Sequence, residues 1–164
     1  MTLLRPALAS LALASLLLAA ANARADDAID YRTGGKRFAE TWHAFYDLAE
    51  HEPDIDDPLI EAGPKMVPAI CEAVRHKDMK RRWYAITALG YIGDRRALPT
   101  LEGILGDAGE TDDSRSEALI SIYRIDRALG TRYARQYRHA DERTAMVADA
   151  IQRKDPWLLE PSEE

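Results

Sequence analysis

The side chains best suited to nucleophilic or metal chemistry are four histidines and one cysteine, and their spacing favours neither. His43, His51, His76 and His139 are scattered, and among them only His51 has a carboxylate beside it, Glu52, next to Pro53. Cys71 shares an apolar helical stripe with Ile70 and Val74, which reads as a core thiol, since free cysteine is among the most buried residue types. Two acidic runs, at 50–57 and 107–113, invite a calcium reading. A dedicated calcium loop needs carboxylates at alternating positions, a central glycine and a distal glutamate. Asp54, Asp56 and Asp57 lead straight into a helix start, and the second run has Asp112 in place of the glycine and Ala118 in place of the glutamate. Thr33-Gly34-Gly35-Lys36 lacks the spaced first glycine and the preceding strand of a phosphate loop. No catalytic, cofactor-binding or metal-binding set of residues is expected.

The elements that would carry any site are helices. In residues 82–92, Ala85, Ile86, Leu89 and Ile92 fall on one stripe at the 3.6-residue period. Gly90 and Gly93 sit at its end, where a left-handed cap favours glycine. Asp94 then caps a second helix with Leu98, Leu101, Ile104 and Leu105 inward. So small a pair cannot bury its own apolar face, and the chain contains copies of it. Residues 82–92 align with 115–125 at a shift of 33, and 66–70 align with 97–101 at a shift of 31. Paired helices recurring at this period mark an α-solenoid. A leading helix over 36–50 places Phe38, Trp42, Phe45 and Ala49 on one face, as an N-terminal cap. Asp57 and Pro58 open a short helix, and Gly63-Pro64 separate it from another over 65–75. A closing helix capped by Asp141 points Met146, Val147, Ala150 and Ile151 inward, and Trp157, Leu158 and Leu159 fold back over the last repeat.

The run A-x-x-A-L-G-x-I-G-D-x-R-A-L-P-x-L in 85–101 resembles the short HEAT repeat first noted in phycobilisome lyases. The resemblance covers about residues 57–131 and is sharpest over 82–105. It implies an all-α fold, an α-solenoid of about three HEAT-like helical pairs with N- and C-terminal capping helices. It also implies that Arg82, Arg115 and Asp94 tie neighbouring repeats together. Bilin attachment would follow from fold analogy alone, because the shared residues are structural. Deoxyhypusine hydroxylase, an enzyme of similar architecture, holds two irons with several His-Glu pairs, whereas this chain has the single pair His51-Glu52. Second helices of HEAT pairs line the concave face, so Lys65, Glu72, Arg75, Arg96, Thr100 and Glu102 are the exposed positions expected to meet a partner. Arg132, Arg135 and Arg138 read as a solvated basic face.

Residues 1–25 read as a cleavable signal peptide: Arg5 for the n-region, an Ala/Leu run over 7–21, and Ala23-Arg24-Ala25 as the cleavage site. The apolar run is shorter than the ~20 residues a spanning helix needs, so no stable membrane insertion is expected. The divisions are then a flexible leader over 26–35, a HEAT-like helical-repeat domain over 36–159 and a disordered tail over 160–164. Losing Arg5 and Arg24 deepens the net charge from −6 to −8, which disfavours nucleic acid. One cysteine rules out an internal disulfide. The function expected is a non-catalytic protein-binding scaffold or adaptor in the cell envelope, periplasmic or secreted, with no cofactor. The alternatives are an inhibitor or immunity-type protein neutralising an exported toxin, and a lyase-related enzyme or enzyme subunit. Intact mass of the protein recovered from the cell envelope should correspond to a chain beginning at Asp26. A mass retaining residues 1–25 would contradict cleavage after Ala25.

Overall fold

The computed structural model describes residues 38–48 and 57–155, and the signal, leader and tail readings lie outside them, as do Ala49, His51 and Trp157 to Leu159. Among the described residues the chain is all helical. The order is α1 (Ala39–Asp47), α2 (Pro58–Ala62), α3 (Val67–Ala73), α4 (Arg82–Ile92), α5 (Leu98–Gly106), α6 (Asp112–Ile125), α7 (Arg127–Gln136) and α8 (Glu142–Arg153), with short 3₁₀ turns before α3 and α5. In chain order the helices fall into three pairs, α2/α3, α4/α5 and α6/α7; α6 and α7 pack directly on each other, α1 packs on α2, and α8 packs on α6 and α7. The first helices stack on one another in the order α2, α4, α6, α8. α3, α5 and α7 form the second layer, each wedged against the first helix of the following repeat.

Local chemistry sets most boundaries. The Asp57 carboxylate accepts from the Leu59 N–H at 2.8 Å, with Pro58 at the first helical position. Thr111 caps α6, Asp126 caps α7 and Asp141 caps α8 through N–H groups of the first turn. Asp94 caps the 3₁₀ turn that leads into α5. Gly93 ends α4 at φ 72°, a conformation that spares a residue without Cβ the usual strain. Gly90 has a different role from the cap expected of it. A Cβ there would come within 2.9 Å of the Ser121 Cα, so its bare backbone sets how closely α4 and α6 approach. The Ser121 hydroxyl uses that closeness to donate to the Ile86 carbonyl at 3.0 Å.

The core is continuous. Trp42 and Phe45 of α1 are fully buried and meet edge to face, which closes the N-terminal end of the stack. Ile86 and Leu89 from α4, Leu101 and Leu105 from α5, and Leu119 and Ile122 from α6 fill the middle. Fully burying each such side chain stabilises the fold by about 1.5–3 kcal/mol. In α8, Val147, Ala150 and Ile151 point inward, but Met146 is 54 % exposed. It lies at the border of the inward stripe, whose members are Thr144, Val147, Ala148, Ala150 and Ile151.

Successive repeats are fastened by arginines, one buried and one half-buried. Arg82 Nε donates to the Val74 carbonyl at the end of α3 at 2.6 Å, and its two terminal nitrogens reach the Glu110 carboxylate at 2.7 Å each. Arg115 repeats the device one repeat later: Nε donates to the Leu105 carbonyl at the end of α5, and a terminal nitrogen reaches Asp141 at 2.7 Å. The basic link at 75–82 and the acidic link at 107–113 therefore pair with each other, Lys77 with Asp107 and Arg82 with Glu110.

Replacing Arg82 by Ala leaves Glu110 buried without its fork and should lower unfolding free energy by about 3–5 kcal/mol in urea titration. Arg82→Lys should recover little, because an ammonium lacks the bidentate geometry. Full stability in Arg82→Lys would show that charge alone is needed.

Candidate functional site

Lys65, Glu72, Arg75 and Arg96, four of the six positions expected to face a partner, are exposed beside the seam between α3 and α5. At one end Arg96 is exposed, held by the Asp94 carboxylate at 2.6 Å, and donates to the Pro64 carbonyl at 2.7 Å, beside the exposed Lys65. At the other end Arg75 is exposed and pairs with Glu72 at 3.1 Å. Thr100 is the first correction. It is 9 % exposed, turned into the seam against Cys71 rather than outward, because the α5 stripe that carries Leu98, Leu101 and Leu105 leaves it facing α3. Glu102 is the second. It is half-buried and accepts from the Tyr133 hydroxyl at 3.0 Å, so it joins α5 to α7 instead of standing free. Of the positions expected to tie repeats, Arg82 and Arg115 make the bonds given above, and Asp94 acts through Arg96.

Between Arg75 and Asp107 the seam opens into a groove of about 230 Å³. Its walls are Arg75 and Lys77 on one side and Asp107 and Glu110 on the other, over a floor of Pro99, Thr100, Gly103 and Ile104. Gly103 is the residue that the sequence reading passed over. It lies inside α5, it is exposed, and a Cβ added there meets no atom within 4 Å. Unlike Gly90, it is not required by packing. A helix-interior glycine costs about 0.5–1 kcal/mol against alanine, and the fold receives nothing in return. The signal was present in the sequence as a glycine between Glu102 and Ile104 in an otherwise good helix.

The electrostatics of the seam are those of paired charges. Lys77 donates to Asp107 at 2.7 Å and holds that carboxyl below its usual range, helped by the Gly109 N–H. Arg96 does the same for Asp94. Burial pushes the Cys71 thiol up, against the Thr100 hydrogen bond and the Arg75 charge, which makes it a poor nucleophile. Among the described residues no three His, Cys, Asp or Glu side chains gather closely enough to hold a metal ion. The arrangement is suited to contact, with an apolar floor between charged rims.

One buried acid lies away from the seam. Glu117 of α6 is 5 % exposed, and its Oε1 has no hydrogen-bond partner among the described residues. Arg124 stands 3.7 Å away, its guanidinium centred 4.1 Å above the Tyr91 ring. Burial drives the Glu117 carboxyl up, opposed by the Arg124 charge, Thr87 and Arg143. Because the folded value is raised, Glu117 favours folding at low pH and loses that contribution as pH rises through the folded value. Asp94, Asp107 and Asp126 act in the opposite direction. At Asp126 the Leu129 N–H is the main cause, with Arg95 assisting. At Asp141 burial pushes up but is outweighed by the Thr144 N–H and the Arg115 charge. Glu117→Gln should therefore stabilise the protein at pH 7 and change it little near pH 4, measured by thermal melts across that range. Equal effects at both pH values would show that Glu117 ionises normally in the fold.

Residues 81–107, which span α4, the turn and α5, match the family described as PBS lyase HEAT-like repeat. No curated protein and no solved structure matches the chain. With that match over α4 and α5, and helices stacked on either side of it, the chain carries a HEAT-like repeat within an all-helical stack.

Proposed function

We propose that the protein is a non-catalytic docking scaffold of the cell envelope, and that a segment of a partner protein lies in the α3/α5 groove with its backbone against Gly103. HEAT-like repeats are generally protein-interaction scaffolds. The observation that carries the reading is the open glycine: a locally unfavourable residue, with space above it, on the floor of the groove. Arg75 and Lys77 on one rim and Asp107 on the other offer both signs of charge to orient the segment. Their contribution is to encounter and register more than to affinity. The location rests on the signal-like residues 1–25, and no helix among the described residues is long and apolar enough to cross a membrane.

The test is site-specific photocrosslinking in the cells that make the protein. A crosslinking side chain at position 103 should give one discrete protein adduct, absent when the same group is placed at Asp149 on α8. Gly103→Leu should abolish the interaction while leaving the protein at least as stable as the parent, since Gly103→Ala alone should add up to about 1 kcal/mol. The same adduct at both positions, or none at 103, would remove the groove from consideration.

A further inference from the structure

The carboxylates of this chain are distributed unevenly among its arginines. Arg75, Arg95, Arg96, Arg115, Arg143 and Arg153 each hold a carboxylate, and so do the buried Arg82 and the half-buried Arg124. Arg81 donates to the Phe45 carbonyl at 3.1 Å. Four in the stretch 127–138 hold no carboxylate among the described residues. Arg127, Arg132 and Arg135 of α7, and Arg138 in the turn that follows, are all exposed, and no acidic side chain among the described residues pairs with them. At about 100° per residue Arg132 points directly away from the core face that carries Gly130 and Ala134, Arg135 lies about 60° from Arg132, and Arg127 stands at the border of the core face. Gly130 brings α7 so close to α6 that a Cβ would meet the Tyr123 Cα at 2.4 Å. The ridge is thus mounted on a helix fixed by backbone-to-backbone packing. Arg127 and Arg132 are also steadied over the Tyr123 and Tyr133 rings, at 6.0 and 5.7 Å.

Guanidinium groups at four positions of one short helix and the turn after it stand without a carboxylate among the described residues, in a chain whose net charge is −6. We infer that this face docks an acidic segment of a partner protein, a run of aspartate and glutamate that supplies the missing carboxylates. Arginine suits that role, because its planar fork takes a carboxylate with two parallel bonds. A polyphosphate chain is a poorer fit. The ridge is one short helix long, and Glu102, Asp141 and Asp149 stand on the helices to either side or cap them, so no basic path extends beyond it. An anionic membrane surface also fits poorly, because interfacial helices need apolar side chains beside the cations. Met146 of α8 is the only large hydrophobic side chain exposed among the described residues. The inference uses none of the groove residues and stands independently of the groove.

The experiment is fluorescence anisotropy of the full protein with a fluorescein-labelled poly-glutamate peptide. Single-stranded DNA and vesicles of phosphatidylglycerol in phosphatidylcholine are tested alongside as competitors. Saturable peptide binding is expected, weakening as salt is raised. R132E/R135E/R138E should reduce the affinity at least tenfold, and the variant should remain folded by circular dichroism because all three side chains are exposed. R75E, which alters the groove rim and leaves α7 intact, should bind the peptide like the parent. R135K should lose part of the affinity if the fork is used. Absence of saturable binding, an equal loss in R75E, or tighter binding of DNA or vesicles than of peptide would each overturn the inference.

Discussion

A guanidinium buried at the junction of two repeats is the interaction on which this molecule depends. The second helix of each pair ends with carbonyls that have no partner within the helix. Arg82 and Arg115 take up one such carbonyl each, at Val74 and Leu105, and carry a charge into the next junction, where Glu110 and Asp141 receive it. Helix end, helix start and following link are joined by one side chain. Pairing alone does not make such a group favourable, because desolvating two ions offsets much of their attraction. What makes the arrangement sound is that four of the five N–H donors of the Arg82 head are used, including one to the Ser114 hydroxyl. Breaking it would leave several buried polar groups without partners at once.

The two close approaches of bare backbone, at Gly90 against Ser121 and at Gly130 against Tyr123, place α6 between α4 and α7 at short range. α6 also packs on α5 and α8, and it is the longest helix of the described chain. It therefore has little solvent-facing surface, and that explains how a glutamate at 117 comes to be buried with one oxygen unpaired. Glycine, chosen for shape, brings α4 against the element that carries this strained electrostatic group.

The sequence revealed periodicity more readily than it revealed orientation. The stripe Ala85, Ile86, Leu89 and Ile92 and its copy at 118–125 were legible because burial repeats every turn and leaves a pattern in one dimension. The caps at Asp57, Asp94 and Asp141 were legible because they depend on neighbours two or three residues away. Thr100, Glu102 and Met146 were misplaced for the opposite reason. Whether a residue at the border of a stripe faces out or in depends on how the next helix lies across it, as α3 lies over Thr100 and α7 reaches Glu102. Gly90 was assigned to capping because a local role and a long-range one leave the same letter in the sequence. Gly103 went unremarked because a glycine with no packing reason is recognised only once the space above it is known.

The clasp at Arg115 bears on how the described array could be rearranged. Its Nε takes the Leu105 carbonyl behind it and a terminal nitrogen takes Asp141 ahead, so one side chain faces both ways along the stack. A duplication that copied α6 and α7 in place would carry its own arginine and preserve the grip at the new joint, whereas an insertion that separated an arginine from its carboxylate would leave a seam without a clasp.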